Sequence, residues 1–334
     1  MTARQDVLPA ERRSPLASIG DRIGALGIPP AWGVLLLLVI IAVATAGTRF
    51  ISQENLTSIL VRSVSLGLVA AGQTVVILAG SLDLSVAYLV SVAAVLSGVI
   101  MQGDPARIPL GVGLVLLIGA GVGLVNGLLI TKLRINAFIA TLGVALILRG
   151  GLNAAFTNFA GEVPGSFQGL GYGYLGPVPY AVLLLLAVVG GVWFLLRFTR
   201  FGHHLYAVGG DEETARLSGV RSHRTLIIAH VLCSVTAVLT GLFLVSRLGA
   251  GAPWVGPDGG YDLESIAAVV VGGTALAGGR GGVIGTLAGV LVLALLDNLF
   301  GLLQINAFWK DVLRGVILIA AVAVYAVRQR ERNR

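Results

Sequence analysis

The chain has 334 residues, of which 56% are hydrophobic and 12% charged, and this charged share is about half that of a typical soluble domain. The composition therefore argues against a water-soluble fold, and the length allows about eight to eleven membrane-spanning segments of about 20 residues each. The net charge of +7 would suit a nucleic-acid-binding protein, but in a membrane protein the placement of basic residues matters more than their sum, so we expect no nucleic-acid partner.

Ten apolar segments follow one another along the chain, and they predict an all-α polytopic membrane protein. They lie at residues 32–47, 56–79, 84–101, 109–130, 138–152, 179–196, 225–246, 263–278, 282–301 and 309–327. The fifth and the eighth are short and could be re-entrant or broken helices. The first follows a long polar leader and precedes many others, so we interpret it as a retained anchor. We thus expect a leader at 1–31, one transmembrane domain at 32–327 and a basic tail at 328–334.

The basic residues favour one orientation of these segments. With both termini in the cytoplasm, sixteen Lys and Arg residues lie on the cytoplasmic side and four lie outside, as the positive-inside rule requires. This orientation places the loop 197–224 in the cytoplasm and the loop 153–178 outside. The outer loop has no Lys or Arg and many glycine and aromatic residues, which indicates an ordered cap or contact surface.

Glycine spacing predicts close helix packing. Glycines repeat every four residues over 119–127 and over 281–289, and on a helix such a stripe lets a neighbouring backbone approach closely. Glycine-rich breaks also interrupt the apolar runs at Gly80–Leu84 and Gly272–Gly282. Paired breaks are typical of binding regions in transporters built from repeats, but both breaks face the cytoplasm in this topology, so we infer no inverted repeat.

Motifs for chemistry are missing from the sequence. Lys132 follows Thr131 and Lys310 follows Trp309, so neither lysine belongs to the G-K-S/T of a phosphate-binding loop. There is no G-x-S-x-G nucleophile motif, and the lone Cys233 and four histidines have no metal-binding spacing. We therefore expect a chain that is not an enzyme and binds no cofactor or metal.

Asp83 lies in the first break, between two strongly apolar runs. An ionisable residue near the membrane is a functional candidate, because burying it unpaired costs several kcal/mol. Alternatively, Ser81 or Asp83 caps the following helix, where a carboxylate accepts backbone N–H bonds and suits the helix dipole. We favour capping, with a pathway or gating role as the alternative.

Other polar residues in or beside the apolar runs carry hydroxyls and amides rather than charges. Such groups suit a pathway for a neutral, hydroxylated solute, although each alone is also typical of hydrogen bonding between helices. The candidate pathway residues are Gln73, Asp83, Asn126, Thr141 and Asn298.

Four stretches of the sequence resemble a known family. These are FTRFGHHLYAVGGDEETARLSGV, YDLESIAAVVVGGTALAGGRGGVIGTLAGV, ILAGSLDLSV and INAFIATLGVALILRGG. Together they closely resemble the permease subunits of bacterial ABC importers for ribose, xylose and related monosaccharides, from about Gln73 to Val324. The resemblance implies an inner-membrane permease that pairs with a second permease subunit, either a copy or a close paralogue. It also implies a cytoplasmic ATPase that uses ATP and Mg²⁺, and a periplasmic or lipid-anchored sugar-binding protein.

The loop 197–224 carries part of the signature through which importer permeases engage their ATPases. Glu213, Thr214, Ala215 and Gly219 resemble E-A-A-x-x-x-G, with Thr in place of the first Ala and without the downstream I-x-L-P. Gly209 and Gly210 break the preceding segment, acidic residues follow, and Gly219 closes the stretch, which predicts a helix of about two turns over 211–218. We expect Ala215 and Leu217 to enter an apolar groove on the ATPase. The candidate coupling residues are Gly210, Asp211, Glu212, Glu213, Ala215, Leu217 and Gly219.

The leading hypothesis is therefore an ABC importer permease that moves a monosaccharide. A branched-chain amino acid permease of the same superfamily is the nearest alternative. A proton-coupled secondary transporter with Asp83 as the relay is a second alternative, and an intramembrane enzyme lacks a catalytic constellation. The sequence leaves open which monosaccharide or polyol is carried.

Overall fold

The computed structural model describes residues 29–306 together with residues 309, 312, 315 and 316. Most of the leader 1–31, most of the tenth apolar segment 309–327 and the tail 328–334 lie outside the described residues. Thirteen α-helices form the described part. They are Ala31–Ala46 (α1), Gln53–Leu78 (α2), Val86–Met101 (α3), Ile108–Thr131 (α4), Ala137–Ala155 (α5), Gly165–Tyr172 (α6), Tyr180–Phe198 (α7), Arg200–Gly210 (α8), Glu212–Leu217 (α9), Ser222–Leu248 (α10), Val255–Asp258 (α11), Tyr261–Val271 (α12) and Val283–Leu302 (α13).

Seven of these helices are long and apolar enough to cross a membrane: α1 extended by the 3-10 turn Gly47–Arg49, α2, α4, α5, α7, α10 and α13. The fifth apolar segment forms α5 with 19 residues, so it is not shortened as a re-entrant segment would be. The eighth forms α12 with only 11 residues, about 16 Å of helix, which is too short for a hydrocarbon core of about 30 Å. The predicted broken helix is thus confirmed for the eighth segment and wrong for the fifth.

The core of the bundle lies around α2 and α10. In the most apolar 18-residue stretch of α2, 89% of the residues are buried, whereas in the corresponding stretch of α1 only 11% are buried. Helix α10 packs against α2, α3 and α4, and α2 also packs against α7, α12 and α13. The outer helices expose large apolar side chains such as Leu37, Leu117 and Ile147, as expected of a surface that contacts lipid.

The glycine stripe of α4 faces α10. A methyl group on Gly123 would lie 2.6 Å from the carbonyl oxygen of His230, and one on Gly127 would lie 2.7 Å from the Cα of Ile227. Gly119 likewise faces Val238. Because no larger residue fits at these contacts, the predicted close approach of helices is confirmed here.

The second glycine stripe is only partly helical. Gly285 and Gly289 lie on α13 and pack against Gly272 and Ala268, at the end of α12. Gly281 precedes the helix and has a φ of 120°, a conformation that favours glycine. The stripe therefore holds α13 close to α12 while its first member belongs to the loop.

The loops gather at two ends of the bundle. At the basic end (residues 78–85, 131–136, 199–222 and 272–282), the Gly279 N–H donates to the carbonyl of Leu78 over 3.0 Å. At the aromatic end (residues 47–53, 102–108, 156–180 and 247–254), a β-bridge joins Ala160 to Gly251. This grouping is the one that alternating segments predict. The loop 153–178 is ordered as expected, with α6 and a hairpin of Tyr174–Leu175 (β1) and Val178–Pro179 (β2).

Candidate functional site

The chain turns sharply after α2 and carries Asp83 into the interior. Gly80 has a φ of 76°, so the backbone leaves the direction of α2 at this residue. Residues 81–85 then form an irregular segment before α3 begins at Val86. Asp83 is 0% exposed. A buried carboxylate requires hydrogen-bond partners, because leaving it unpaired in an apolar interior is very costly.

Three residues supply those partners. Asp83 Oδ1 accepts from the Ser85 backbone N–H at 2.9 Å and from Ser85 Oγ at 2.6 Å. Asn126 Nδ2, on α4, donates to Asp83 Oδ2 at 3.2 Å. His230 Nδ1, on α10, lies 3.3 Å from the same oxygen. The carboxylate therefore links the start of α3 to α4 and α10.

Ser81 and His230 complete the arrangement. Ser81 Oγ lies 3.0 Å from His230 Nε2. A neutral imidazole satisfies both contacts when its Nδ1–H donates to Asp83 and its Nε2 accepts from the Ser81 hydroxyl. The ring therefore bridges two residues of the same irregular segment.

The capping prediction is wrong in detail. Helix α3 has Ser85 as its N-cap residue, with no side chain bonded to the first-turn N–H groups. Asp83 instead binds the N–H of Ser85 itself, and Ser81 binds His230. Contacts with His230 and Ser85 engage both side chains, so neither binds the first-turn N–H groups of α3.

Thr141 joins the same region from α5. Its Oγ1 accepts from the Leu84 N–H at 3.1 Å and donates to the Ala137 carbonyl at 2.8 Å. Three predicted pathway residues, Asp83, Asn126 and Thr141, therefore meet. We call the whole group the Asp83 cluster, which consists of Ser81, Asp83, Ser85, Asn126, Thr141 and His230, all of them buried.

The other two predicted pathway residues lie elsewhere. Gln73 is buried on α2, where its Oε1 accepts from Cys233 Sγ at 3.3 Å. Asn298 is half-buried on α13 and exchanges hydrogen bonds of 2.6 and 3.3 Å with Asn55, near the aromatic end. The five candidates therefore do not form one continuous pathway in this structure.

Three buried side-chain polar atoms have no hydrogen-bond partner among the described residues: Gln73 Nε2, Asn126 Oδ1 and Ser234 Oγ. Burying such atoms costs about 1–3 kcal/mol each. Sequence reasoning did not select His230, Ser81 or Ser85 as members of a polar site. A signal for His230 was present, because a histidine within an apolar run is the natural partner of a buried carboxylate.

The predicted short helix in the loop 197–224 is present as α9. Asp211 is its N-cap, and its Oδ1 accepts from the Thr214 N–H at 2.6 Å. This hydrogen bond lowers the pKa of the Asp211 carboxyl. Gly219 has a φ of 83° and ends the helix in the left-handed conformation, as expected. An exposed ion pair between Glu213 and Arg216 spans 2.6 Å along the helix.

Two details of the coupling prediction are wrong. Ala215 is 3% exposed and packs inside the chain, whereas Leu217 is 79% exposed, so only Leu217 is accessible to a partner. Gly209 and Gly210 do not break the preceding segment but form the last turn of α8. Gly209 is required there by packing, since a methyl group on it would overlap the Leu78 carbonyl oxygen and lie 2.7 Å from Gly279 N.

Helix α8 thereby connects α9 with both glycine-rich breaks. Gly209 contacts the end of α2 and the loop 272–282, and the Gly279 N–H binds the Leu78 carbonyl between them. The segment directly before α9 is thus packed on the two places where the apolar runs are interrupted.

Comparison with known proteins identifies the family. Residues 55–322 match the family described as the permease component of branched-chain amino acid transport systems. The chain is 36% identical over 297 residues to the ribose import permease RbsC of Escherichia coli K12, covering 87% of this chain and 91% of that protein. For RbsC of Bacillus subtilis strain 168 the values are 38% over 306 residues, 88% and 90%.

A third relative is the galactose/methyl galactoside import permease MglC of Escherichia coli K12, which is 31% identical over 315 residues, covering 88% of this chain and 93% of that protein. No solved structure matches the chain significantly. The family match spans most of the chain, and the structure supplies seven helices that are long enough to cross a membrane. The protein is therefore a multi-pass membrane protein that belongs to the permease-component family of branched-chain amino acid transport systems.

Proposed function

We propose that the chain is the membrane permease subunit of an ABC importer for a monosaccharide. The observation that carries this proposal is the similarity to RbsC and MglC over at least 87% of this chain. Those relatives are named as import permeases for ribose and for galactose or methyl galactoside, all of which are neutral, hydroxylated solutes. The chain would open a path for the solute without chemistry on it.

In this proposal both termini and the loop 197–224 face the cytoplasm, and the loop 153–178 faces outside. The excess of basic residues on the first side supports the orientation. The partners are a second permease subunit, a cytoplasmic ATPase that binds ATP and Mg²⁺, and a periplasmic or lipid-anchored sugar-binding protein.

Helix α9 is the proposed contact with the ATPase. It is short, capped at both ends, and presents Leu217 and a mostly polar surface to the solvent. Charges at the rim of such an interface mainly set its register and association rate. Movement of α9 would pass through α8 to Gly209, and from there to the end of α2 and the loop 272–282.

The Asp83 cluster has a positioning role in this proposal. It fixes the start of α3 to α4, α5 and α10 through buried hydrogen bonds. All six side chains of the cluster are buried, which suits a structural role. It would hold the basic end together while other parts of the bundle move.

A second candidate function is proton-coupled secondary transport. The contact of 3.3 Å between Asp83 and His230, both 0% exposed, favours it, because intramembrane carboxylate and histidine pairs are typical of proton relays.

Reconstitution into proteoliposomes separates the two functions. The chain is combined with its proposed partners, an ATPase and a binding protein, and uptake of labelled ribose, galactose and leucine is measured. We expect uptake of a sugar that requires ATP and all components, and the solute that raises the melting temperature of the binding protein identifies that sugar. Uptake by the chain alone, driven by a proton gradient, would contradict the proposal, and ATP-driven uptake of leucine only would favour the amino acid alternative.

A further inference from the structure

A polar cavity of about 950 Å³ opens at the aromatic end, between the start of α2, the segment 171–179 and the end of α10. Its size lies at the upper end of the range of about 300–1,000 Å³ that is typical of ligand sites. We call it the vestibule. Its side chains with chemical function include Glu54, Thr57, Arg62, Tyr172, Tyr174 and Arg247.

One wall of the vestibule is preformed. The Arg247 guanidinium lies over the Tyr172 ring, 4.8 Å from its centroid. Arg247 Nη1 donates to the Gly171 carbonyl at 3.1 Å, and Tyr172 Oη donates to the Arg247 carbonyl at 2.9 Å. These three contacts fix the arginine and the tyrosine against each other, so the wall needs little ordering when a ligand binds.

The opposite wall is one face of α2. Glu54, Thr57, Ser58, Val61 and Arg62 follow the spacing of residues that share a helix face. Arg62 lies nine residues after Gln53, the first residue of α2, and therefore about 13 Å along the helix. Its side chain is exposed and its Nε donates to Ser58 Oγ at 3.2 Å. An exposed guanidinium within an apolar helix favours surroundings of water or a polar ligand over contact with lipid tails.

The groups in the vestibule are complementary to one class of solute. Tyr172 and Tyr174 are 55% and 54% exposed and offer aromatic faces with polar tips. Hydroxyls, a carboxylate and two guanidiniums provide donors and acceptors around them. A sugar ring has both an apolar C–H face and several neutral hydroxyls, so it can use both kinds of group at once.

We propose that the vestibule binds a free monosaccharide before translocation, a hypothesis that rests on the proposed function for its solute. The site lies at the end of the bundle opposite α9, where an external binding protein would release its sugar. Tyr174 provides the stacking surface, and Glu54 accepts hydrogen bonds from the sugar hydroxyls.

The test measures binding directly on the full chain in lipid nanodiscs, with no ATPase present. Saturation-transfer NMR is recorded with ribose, galactose, leucine and inorganic phosphate at millimolar concentrations. We expect a signal from a sugar, reduced about tenfold in apparent affinity by Tyr174→Ala and also reduced by Glu54→Gln. Leu175→Ala is the matched control, because Leu175 is exposed on the same hairpin and does not line the cavity.

The outcomes are distinct from those of the uptake experiment. No sugar signal from the wild-type chain, or a sugar signal that Tyr174→Ala and Glu54→Gln leave unchanged, would overturn the vestibule even if ATP-driven uptake succeeds. A signal from phosphate alone, or one lost when anionic lipids fill the nanodisc, would assign the cavity to anionic groups and also overturn it. If uptake requires no ATPase while sugar binding depends on Tyr174, the vestibule is supported as a sugar-binding site and the ABC importer proposal is contradicted.

Discussion

At the scale of single residues, the interior of the protein is organised by one carboxylate. Asp83 receives hydrogen bonds from Ser85 and Asn126 and contacts His230, so its removal leaves several buried polar groups without a partner. Leaving a buried polar group without its hydrogen-bond partner typically costs about 1–3 kcal/mol. The cluster therefore stabilises the fold because its buried polar groups supply hydrogen bonds to one another, and no single bond accounts for the effect.

We expect Asp83→Leu to lower the melting temperature of the purified chain strongly, because Ser85, Asn126 and His230 lose a buried partner at a cost of about 1–3 kcal/mol of unfolding free energy per group. Asp83→Asn should have a smaller effect, because the amide oxygen can still accept from Ser85. Ser97→Ala is the control, since Ser97 is a buried serine on the same helix α3 that bonds only to its own backbone. Equal melting temperatures for Asp83→Leu and Ser97→Ala would show that the cluster does not hold α3.

Uptake by the Asp83→Asn variant tests the hypothesis that Asp83 is a proton relay. If Asp83→Asn assembles normally and retains ATP-driven uptake, the carboxylate acts through position and not through proton exchange. Complete loss of uptake by a normally assembled Asp83→Asn variant would instead favour a charge-dependent role.

At the scale of elements, the sequence was most informative where a local rule decides the conformation. Asp211 and Gly219 bracket α9 because an acidic N-cap and a left-handed glycine act within one helix. The stripe of Gly119, Gly123 and Gly127 predicted a close neighbour, but not that the neighbour is α10. Contacts between distant segments depend on tertiary packing, which a single sequence does not display.

The errors have the same origin. Ala215 was expected to face a partner, yet it is buried, because the sequence does not show which side of a six-residue helix meets its own protein. His230 was not selected as a partner of Asp83, because 147 positions separate the two residues and only the fold brings them together. Asn298 was grouped with Asp83 by residue type, whereas α13 carries it toward the other end.

For α9 we predict that Leu217→Asp and Gly219→Val leave the chain inserted while reducing co-purification of the ATPase. Leu217→Asp places a charge at the exposed apolar position. Gly219→Val requires a β-branched residue at a φ of 83°, which costs about 1–2 kcal/mol and misdirects the helix end. Ser218→Ala is the control, because Ser218 is exposed between them and bonds only to Thr214. Co-purification equal to that of the control would remove α9 from the interface.

At the scale of the whole molecule, the two ends of the bundle have different chemistry. The basic end carries α9 and the glycine-rich breaks, and the aromatic end carries the hairpin and the vestibule. The alternation of apolar segments predicted which loops share an end. The side of the membrane that each end faces remains a prediction from the basic residues.

Labelling with a membrane-impermeant thiol reagent tests that orientation. Cys233→Ser removes the single cysteine, and its hydroxyl can still donate to Gln73. In that background a cysteine introduced at exposed Ser166 should react in intact cells, whereas one at exposed Ser218 should react only after the membrane is disrupted. The reverse pattern would invert the orientation and place α9 outside.

The last prediction concerns how the two ends communicate, and it depends on Gly209. The glycine lies in the last turn of α8, two residues before the N-cap of α9, and a methyl group there would overlap the Leu78 carbonyl and crowd Gly279. Alanine has a helix propensity about 1 kcal/mol better than glycine, so Gly209→Ala should keep α8 and α9 helical while it pushes α8 away from both breaks.

We therefore expect Gly209→Ala to bind the ATPase normally, while the ATPase in the assembled importer hydrolyses ATP with much less sugar uptake per ATP. Gly190→Ala provides the control, since that glycine lies in α7 and an added methyl group contacts nothing within 4 Å. Uptake and ATP hydrolysis are measured in the same proteoliposomes, so that their ratio is independent of protein yield. A Gly209→Ala ratio equal to that of Gly190→Ala would show that movement of α9 reaches the bundle by another route, because the contact of α8 with Leu78 and Gly279 would then be dispensable for coupling.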